Sequence, residues 1–132
     1  MSPGVPHPPS ASPGAVAVVG ASENPHRYAF RALRLLRENG YTPIPVSRSG
    51  KDILGCPGYA SLGAVPVPID TVTMYVSPER QSSVIADILA IRPRRVIFNP
   101  GAENPDTYPA LAQAGVDAVE ACALVLLTTG QF

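Results

Sequence analysis

The sequence predicts a single doubly wound α/β domain, with a parallel sheet of about five strands and helices on both faces. Three observations point there. Short apolar runs that end in small or polar residues recur along the chain, and segments with helical spacing lie between most of them. The length, 132 residues, is that of one domain with a real core. Alternation of strand, helix and strand folds as a parallel sheet with right-handed crossovers.

The first fourteen residues, MSPGVPHPPSASPG, hold five prolines and show no apolar period. They are expected to be a disordered Pro-rich leader, which leaves 15–132 as the folded domain. AVAVVG (15–20) is a continuous apolar run ending in glycine, the mark of a strand buried on both faces. In the next segment Ala29, Ala32, Leu33 and Leu36 make one helical stripe, with Arg27, Arg31, Arg34 and Glu38 opposite. Asn39-Gly40 stops that helix. YTPIPV (41–46) reads as a second strand whose two prolines suit a short or edge position.

Residues 47–68 are rich in Gly and Pro and predict a long connection, with at most a short helical turn at YASLG (59–63). DTVTMYV (70–76) is a third strand. In the helix after it, Ser77 is the expected N-cap and Pro78 the first helical residue. Its buried face is Val84, Ile85, Ile88 and Leu89, and Pro93 ends it. RRVIFN (94–99) is a fourth strand, followed by a helix from Asp106 or Thr107 to Gly115. VDAVEACALVLL (116–127) is read as a fifth strand with an apolar tail. Leu124, Val125, Leu126, Leu127 and Phe132 of that tail finish the core or make a homodimer contact, and the core is the expectation.

The formal net charge of zero conceals an asymmetry. Residues 15–51 carry six basic side chains against Glu23 and Glu38, whereas the chain after Asn99 has four acidic side chains and no basic one. No basic stripe with interleaved aromatics is present, which argues against nucleic-acid binding. No apolar run is long enough to span a membrane, and no signal peptide is recognisable. The two cysteines, Cys56 and Cys122, lack metal-ligand spacing and predict reduced thiols in a cytoplasmic protein.

Open parallel sheets bind ligands at the carboxyl ends of strands, where strand order reverses. An order of 3-2-1-4-5 would put that reversal between the first and fourth strands. The loops of interest are then 20–27, Ser77-Pro78 and 99–103. In the first, Gly20 and Ala21 let backbone approach a ligand, Ser22 adds a hydroxyl and Arg27 offers a two-pronged phosphate contact. The dinucleotide fingerprint is incomplete, because its third and sixth positions are Ser22 and Pro25 instead of glycine. At the end of the second strand, Ser47, Arg48 and nearby Lys51 stand where an NAD enzyme usually has an acid. Basic residues there suit a ribose that carries a phosphate, as in NADP or coenzyme A.

Catalytic groups are sparse. His26 is the only histidine outside the leader, and no nucleophile–base set is suggested. Cys122 reads as a small buried apolar residue.

These segments together (VAVVGASENPHRYAF, GYTPIPV, ILGCPGYASL, DTVTMYVSPE and ACALVLLTTGQF, in this order) resemble the small stand-alone CoA-binding proteins. Those are Rossmann-like domains similar to the CoA-binding part of the succinyl-CoA synthetase alpha subunit. The resemblance implies that Gly20, Ala21 and Ser22 cradle the CoA pyrophosphate, with Pro25, Arg27 and Tyr28 at the helix start. It puts Val46, Ser47 and Arg48 against the adenosine, and Ser77 and Pro78 over the nucleotide. Asn99 is carried over from the fourth strand, although VIFNPGAEN departs from the tryptophan-x-glutamine pattern of many members. Ser47-Arg48 likewise replaces their asparagine-proline. The expected function is non-catalytic binding of CoA or an acyl-CoA. The competing readings are an NADP-dependent reductase and a regulatory module with a vestigial site.

Overall fold

The computed structural model describes residues 14–132, so all of the expected leader except Gly14 lies outside the described residues. Among the described residues five strands form one sheet: β1 (Ala15–Val19), β2 (Thr42–Val46), β3 (Thr71–Met74), β4 (Arg95–Phe98) and β5 (Asp117–Glu120). The helices among the described residues are α1 (Tyr28–Glu38), α2 (Ser82–Ile91), α3 (Tyr108–Gln113) and α4 (Ala123–Thr128). Every strand pairing is parallel. A Rossmann-like doubly wound α/β domain is what the chain builds.

The strand order is β2-β1-β3-β4-β5, which corrects the expected 3-2-1-4-5. β3 does not lie outside β2. It crosses back and pairs with β1, Val16 facing Thr71 and Val19 facing Met74. With right-handed crossovers, reversing direction moves the connection to the opposite face of the sheet. Leu62 and Tyr59 of the β2–β3 connection accordingly pack with Ile85 and Ile88 of α2 and Leu111 of α3. On the other face Val16 and Val18 pack with Ala29, Leu33 and Leu36 of α1 and Leu127 of α4. β1 is covered on both faces, which is why its sequence is an unbroken apolar run.

β2 lies at the edge of the sheet, where its two prolines need no ladder partner on the open side. That edge is partly closed by Tyr59, which bridges to Val46. α1 ends as expected: Asn39 is its C-cap, Gly40 has φ +86°, and the Tyr41 N–H returns to the Leu36 carbonyl at 2.9 Å.

Two elements differ from expectation. Ser77 caps a short 3₁₀ turn, Pro78–Arg80, and α2 begins only after the fully buried Gln81. The Gln81 amide nitrogen donates to the Val76 and Ala102 carbonyls, both at 2.7 Å, so it fills the space between the loops after β3 and β4. The apolar tail expected to prolong the fifth strand is instead the helix α4. Ala123 and Leu127 of that helix join the core and Val125 is exposed. Phe132 meets the Tyr41 ring edge-on at 5.1 Å and lies under the Arg95 guanidinium at 4.5 Å. No helix among the described residues is long and apolar enough to cross a membrane.

Candidate functional site

The chain leaves β1 and β3 towards opposite faces of the sheet, so a crevice opens above their carboxyl ends. A cavity of about 480 Å³ occupies it. That is within the usual range for a small-molecule site, roughly 300–1,000 Å³. Its floor is made by Val19, Val46 and Tyr75, the last residues of β1 and β2 and the first beyond β3. Burial pushes the Tyr75 phenol up to about 12, so this side chain stays neutral at physiological pH.

Gly20 sets the shape of the first loop. Its φ is +90°, and a β-carbon there would stand 3.2 Å from Val76 and 3.3 Å from Tyr75. The loop after β1 thus presses against the loop after β3. The Gly20 and Ala21 N–H groups both donate to the Val46 carbonyl, at 3.0 and 3.1 Å, which ties the turn to the end of β2. Those two amides are therefore engaged within the fold. The next two, of Ser22 and Glu23, have no acceptor among the described residues.

Beyond them a chain of small turns delivers the backbone to α1. The Ser22 hydroxyl accepts from the Asn24 N–H at 3.1 Å, and the Asn24 side-chain oxygen accepts from the His26 N–H at 3.0 Å. Arg27 is the α1 N-cap in extended backbone, with no side-chain capping bond.

Of the residues singled out in sequence, Gly20, Ala21, Val46, Ser47, Arg48 and Ser77 line the cavity. Ser22, Pro25, Arg27, Tyr28 and Pro78 do not, although Ser22 adjoins the lining residue Ala21 and Pro78 the lining residue Ser77. Tyr28 is 65% exposed, with the Arg31 guanidinium 5.8 Å from its ring centre. Asn99 lies one strand farther on, after β4, and is 2% exposed. Its amide nitrogen donates to the Thr73 hydroxyl at 2.7 Å and the Met74 carbonyl at 2.9 Å, while its oxygen accepts from the Ala123 N–H at 2.8 Å. Asn99 thereby joins β3, β4 and the start of α4, and both of its amide hydrogens are engaged. Lys51 also stands off the cavity and pairs with Glu23 at 3.4 Å, a solvent-exposed contact between the loops after β1 and β2.

Sequence reasoning missed the wall formed by Arg80 of the 3₁₀ turn and by Ser83, Val84 and Asp87 of α2. Ser83, Val84 and Asp87, with Asp87 three and four residues after the others, mark one helical stripe beside the one that buries Ile85 and Ile88. That signal was available. What the sequence lacked was the strand order, which turns this stripe towards the end of β1. The cavity also takes Ala60, Ser61 and Leu62 from the β2–β3 connection, held there by the Tyr59 bridge to β2.

Two arginines, Arg48 and Arg80, give the lining its positive charge, opposed by the single carboxylate of Asp87. No histidine or cysteine among the described residues lines it. Cys56 and Cys122 are free thiols elsewhere, and no cluster of His, Cys, Asp and Glu that could hold a metal exists among the described residues.

Fold and cleft define a doubly wound α/β domain with an open cavity at its switch point. Residues 14–128 match the CoA-binding domain family, and the chain belongs to that family. It is similar to the uncharacterized protein YneT of Bacillus subtilis, 28% identical over 100 residues that cover 76% of this chain and 74% of YneT. A solved uncharacterized protein shares 36% identity, with a TM-score of 0.83 over 90% of this chain and 98% of that one. The protein cell-free ID.343 from Thermus thermophilus shares 31% identity, with a TM-score of 0.82 over 89% of this chain and 90% of that one.

Proposed function

We propose that this protein binds coenzyme A or an acyl-CoA as a non-catalytic carrier or sensor, with the phosphates held at the mouth of the β1/β3 cleft. One observation carries the reading: a cavity at the switch point has Arg48 and Arg80 in its wall and, beside Ala21, two N–H groups without an acceptor among the described residues. Guanidinium groups bind phosphate through paired, charge-assisted hydrogen bonds, and exposed loop amides add to them. CoA carries a pyrophosphate and a separate ribose phosphate, so it supplies anions for both. In this reading the Ser22 and Glu23 amides meet the pyrophosphate, and Arg48 meets the ribose phosphate.

The test is calorimetric titration of CoA into the wild-type protein, Arg48→Ala and Arg80→Ala. Each substitution should weaken binding by about 1.5–3 kcal/mol, the range for a hydrogen bond to a charged group. Wild-type affinity in both variants would remove the arginines from phosphate recognition and contradict the reading.

A further inference from the structure

The strand order turns an asymmetry of the sequence into a polarity of the molecule. Residues 15–51, with six basic side chains against Glu23 and Glu38, build β1, α1 and β2 at one edge of the sheet. The chain after Asn99, with four acidic side chains and no basic one, forms the other edge, β5. α4 stands between these poles: it packs against α1 on one side, and its Ala123 N–H meets Asn99 just past the end of β4. Residues 121–132 contain no charged side chain. Ala123 and Leu127 point into the molecule, Leu124 and Leu126 are half-buried, and Val125 is 54% exposed. Val119 of β5 adds to this apolar face. Its neighbour Ala118 packs with the cluster under α2 and α3, so strand alternation turns Val119 to the α4 side, where it is half-buried.

Exposed charges flank the face in opposite senses. Arg31 and Arg34 are exposed on α1, and Arg34 makes only a solvent-exposed contact with Glu38, at 3.8 Å. Asp117 and Glu120 are exposed on β5. We infer that this face docks a second copy of the chain about a two-fold axis running along α4. Leu124, Val125 and Leu126 then pack at the centre, and α1 of each copy lies against β5 of the other, basic side chains against acidic. A two-fold axis across α4 would instead lay α1 on α1, arginine against arginine. Joining copies through sheet edges meets the same obstacles of charge and chemistry. β5 beside β5 would bring Asp117 and Glu120 of both copies together. β5 beside β2 of the next copy would meet Pro43 and Pro45, which offer no N–H, on an edge already bridged by Tyr59. The contact does not depend on what the cleft binds.

The test is sedimentation equilibrium of the full chain over a range of concentrations. The wild type should be a dimer. Val125→Asp, a change at an exposed position, should be monomeric with the circular dichroism spectrum of the wild type. The charge pairing is read from Arg31→Glu combined with Arg34→Glu, which should weaken the dimer roughly tenfold or more, because like charges then face one another. Adding Asp117→Lys and Glu120→Lys to that variant should restore most of the loss. A wild type that stays monomeric, or a dimer that Val125→Asp leaves intact, would overturn the proposal. A monomer that dimerises only once residues 1–13 are removed would assign the face to that segment and overturn the second copy as its occupant. A dimer broken by Val125→Asp but indifferent to the charge reversals would overturn the axis along α4.

Discussion

At Gly58 a β-carbon would stand 1.9 Å from the Lys51 carbonyl oxygen and 2.5 Å from its carbon, so any side chain must displace backbone. The Gly58 N–H donates to Asp52 Oδ1 at 2.9 Å, which fixes the loop from both sides. The residues immediately after it, Tyr59 to Leu62, bridge β2 and wall the cavity. Gly58→Ala should therefore cost about 3 kcal/mol in urea unfolding, at the upper end for overpacking, and an unchanged midpoint would contradict this. Nothing in the sequence distinguishes Gly58 from the other glycines of the loop, because the atom it avoids lies seven residues earlier across a turn. Gly20, Ala21, Val46, Ser47, Arg48 and Ser77 were legible, since each stands at or just past the end of a recognisable strand. Asn99 shows the limit of that logic. A polar residue at a strand end looks like a ligand group, yet this one is engaged by β3 and α4.

Among elements, the starts of β3 and β4 are joined by Asp70 and Arg94, whose Nε and Nη2 each reach the carboxylate at 3.0 Å. Burial alone would raise the Asp70 carboxyl, but the Arg94 hydrogen bonds and the Thr71 hydroxyl at 2.7 Å hold it below its ordinary value of 3.8. Its contribution to stability is thus complete above that value and lost as pH falls through the lower folded value. Asp70→Asn should lose stability near neutral pH and show a shallower decline below about pH 4 than the wild type. Parallel acid limbs in urea unfolding at several pH values would contradict this. Most elements could be read from periodicity, α1 most cleanly, because its buried stripe and its Asn39-Gly40 stop agree. α4 could not. After β5 the apolar run continues without Gly or Pro, and the change from strand to helix at Ala121–Cys122 has no local punctuation. Only the face left open beside α1 gives Leu127 somewhere to go.

For the whole molecule the decisive feature is the order β2-β1-β3-β4-β5. It brings the loops after β1, β2 and β3 to one cleft and removes the loop after β4, which the expected order would have included. The alternation of elements was sufficient to predict a doubly wound sheet, because that follows from local patterns. The order was not, because the β2–β3 connection has no regular α-helix whose apolar face would show which side it covers. The cavity wall supplied by α2 was lost to view for the same reason. The central claim is that this cleft holds a CoA-type ligand through its phosphates. The most direct measurement is calorimetry of the full chain with CoA, dephospho-CoA, NAD and NADP side by side. The account predicts binding of CoA, weakened in dephospho-CoA by about 1.5–3 kcal/mol, and weak or no binding of NAD. Binding of NADP in preference to CoA, or of none of the four, would contradict it.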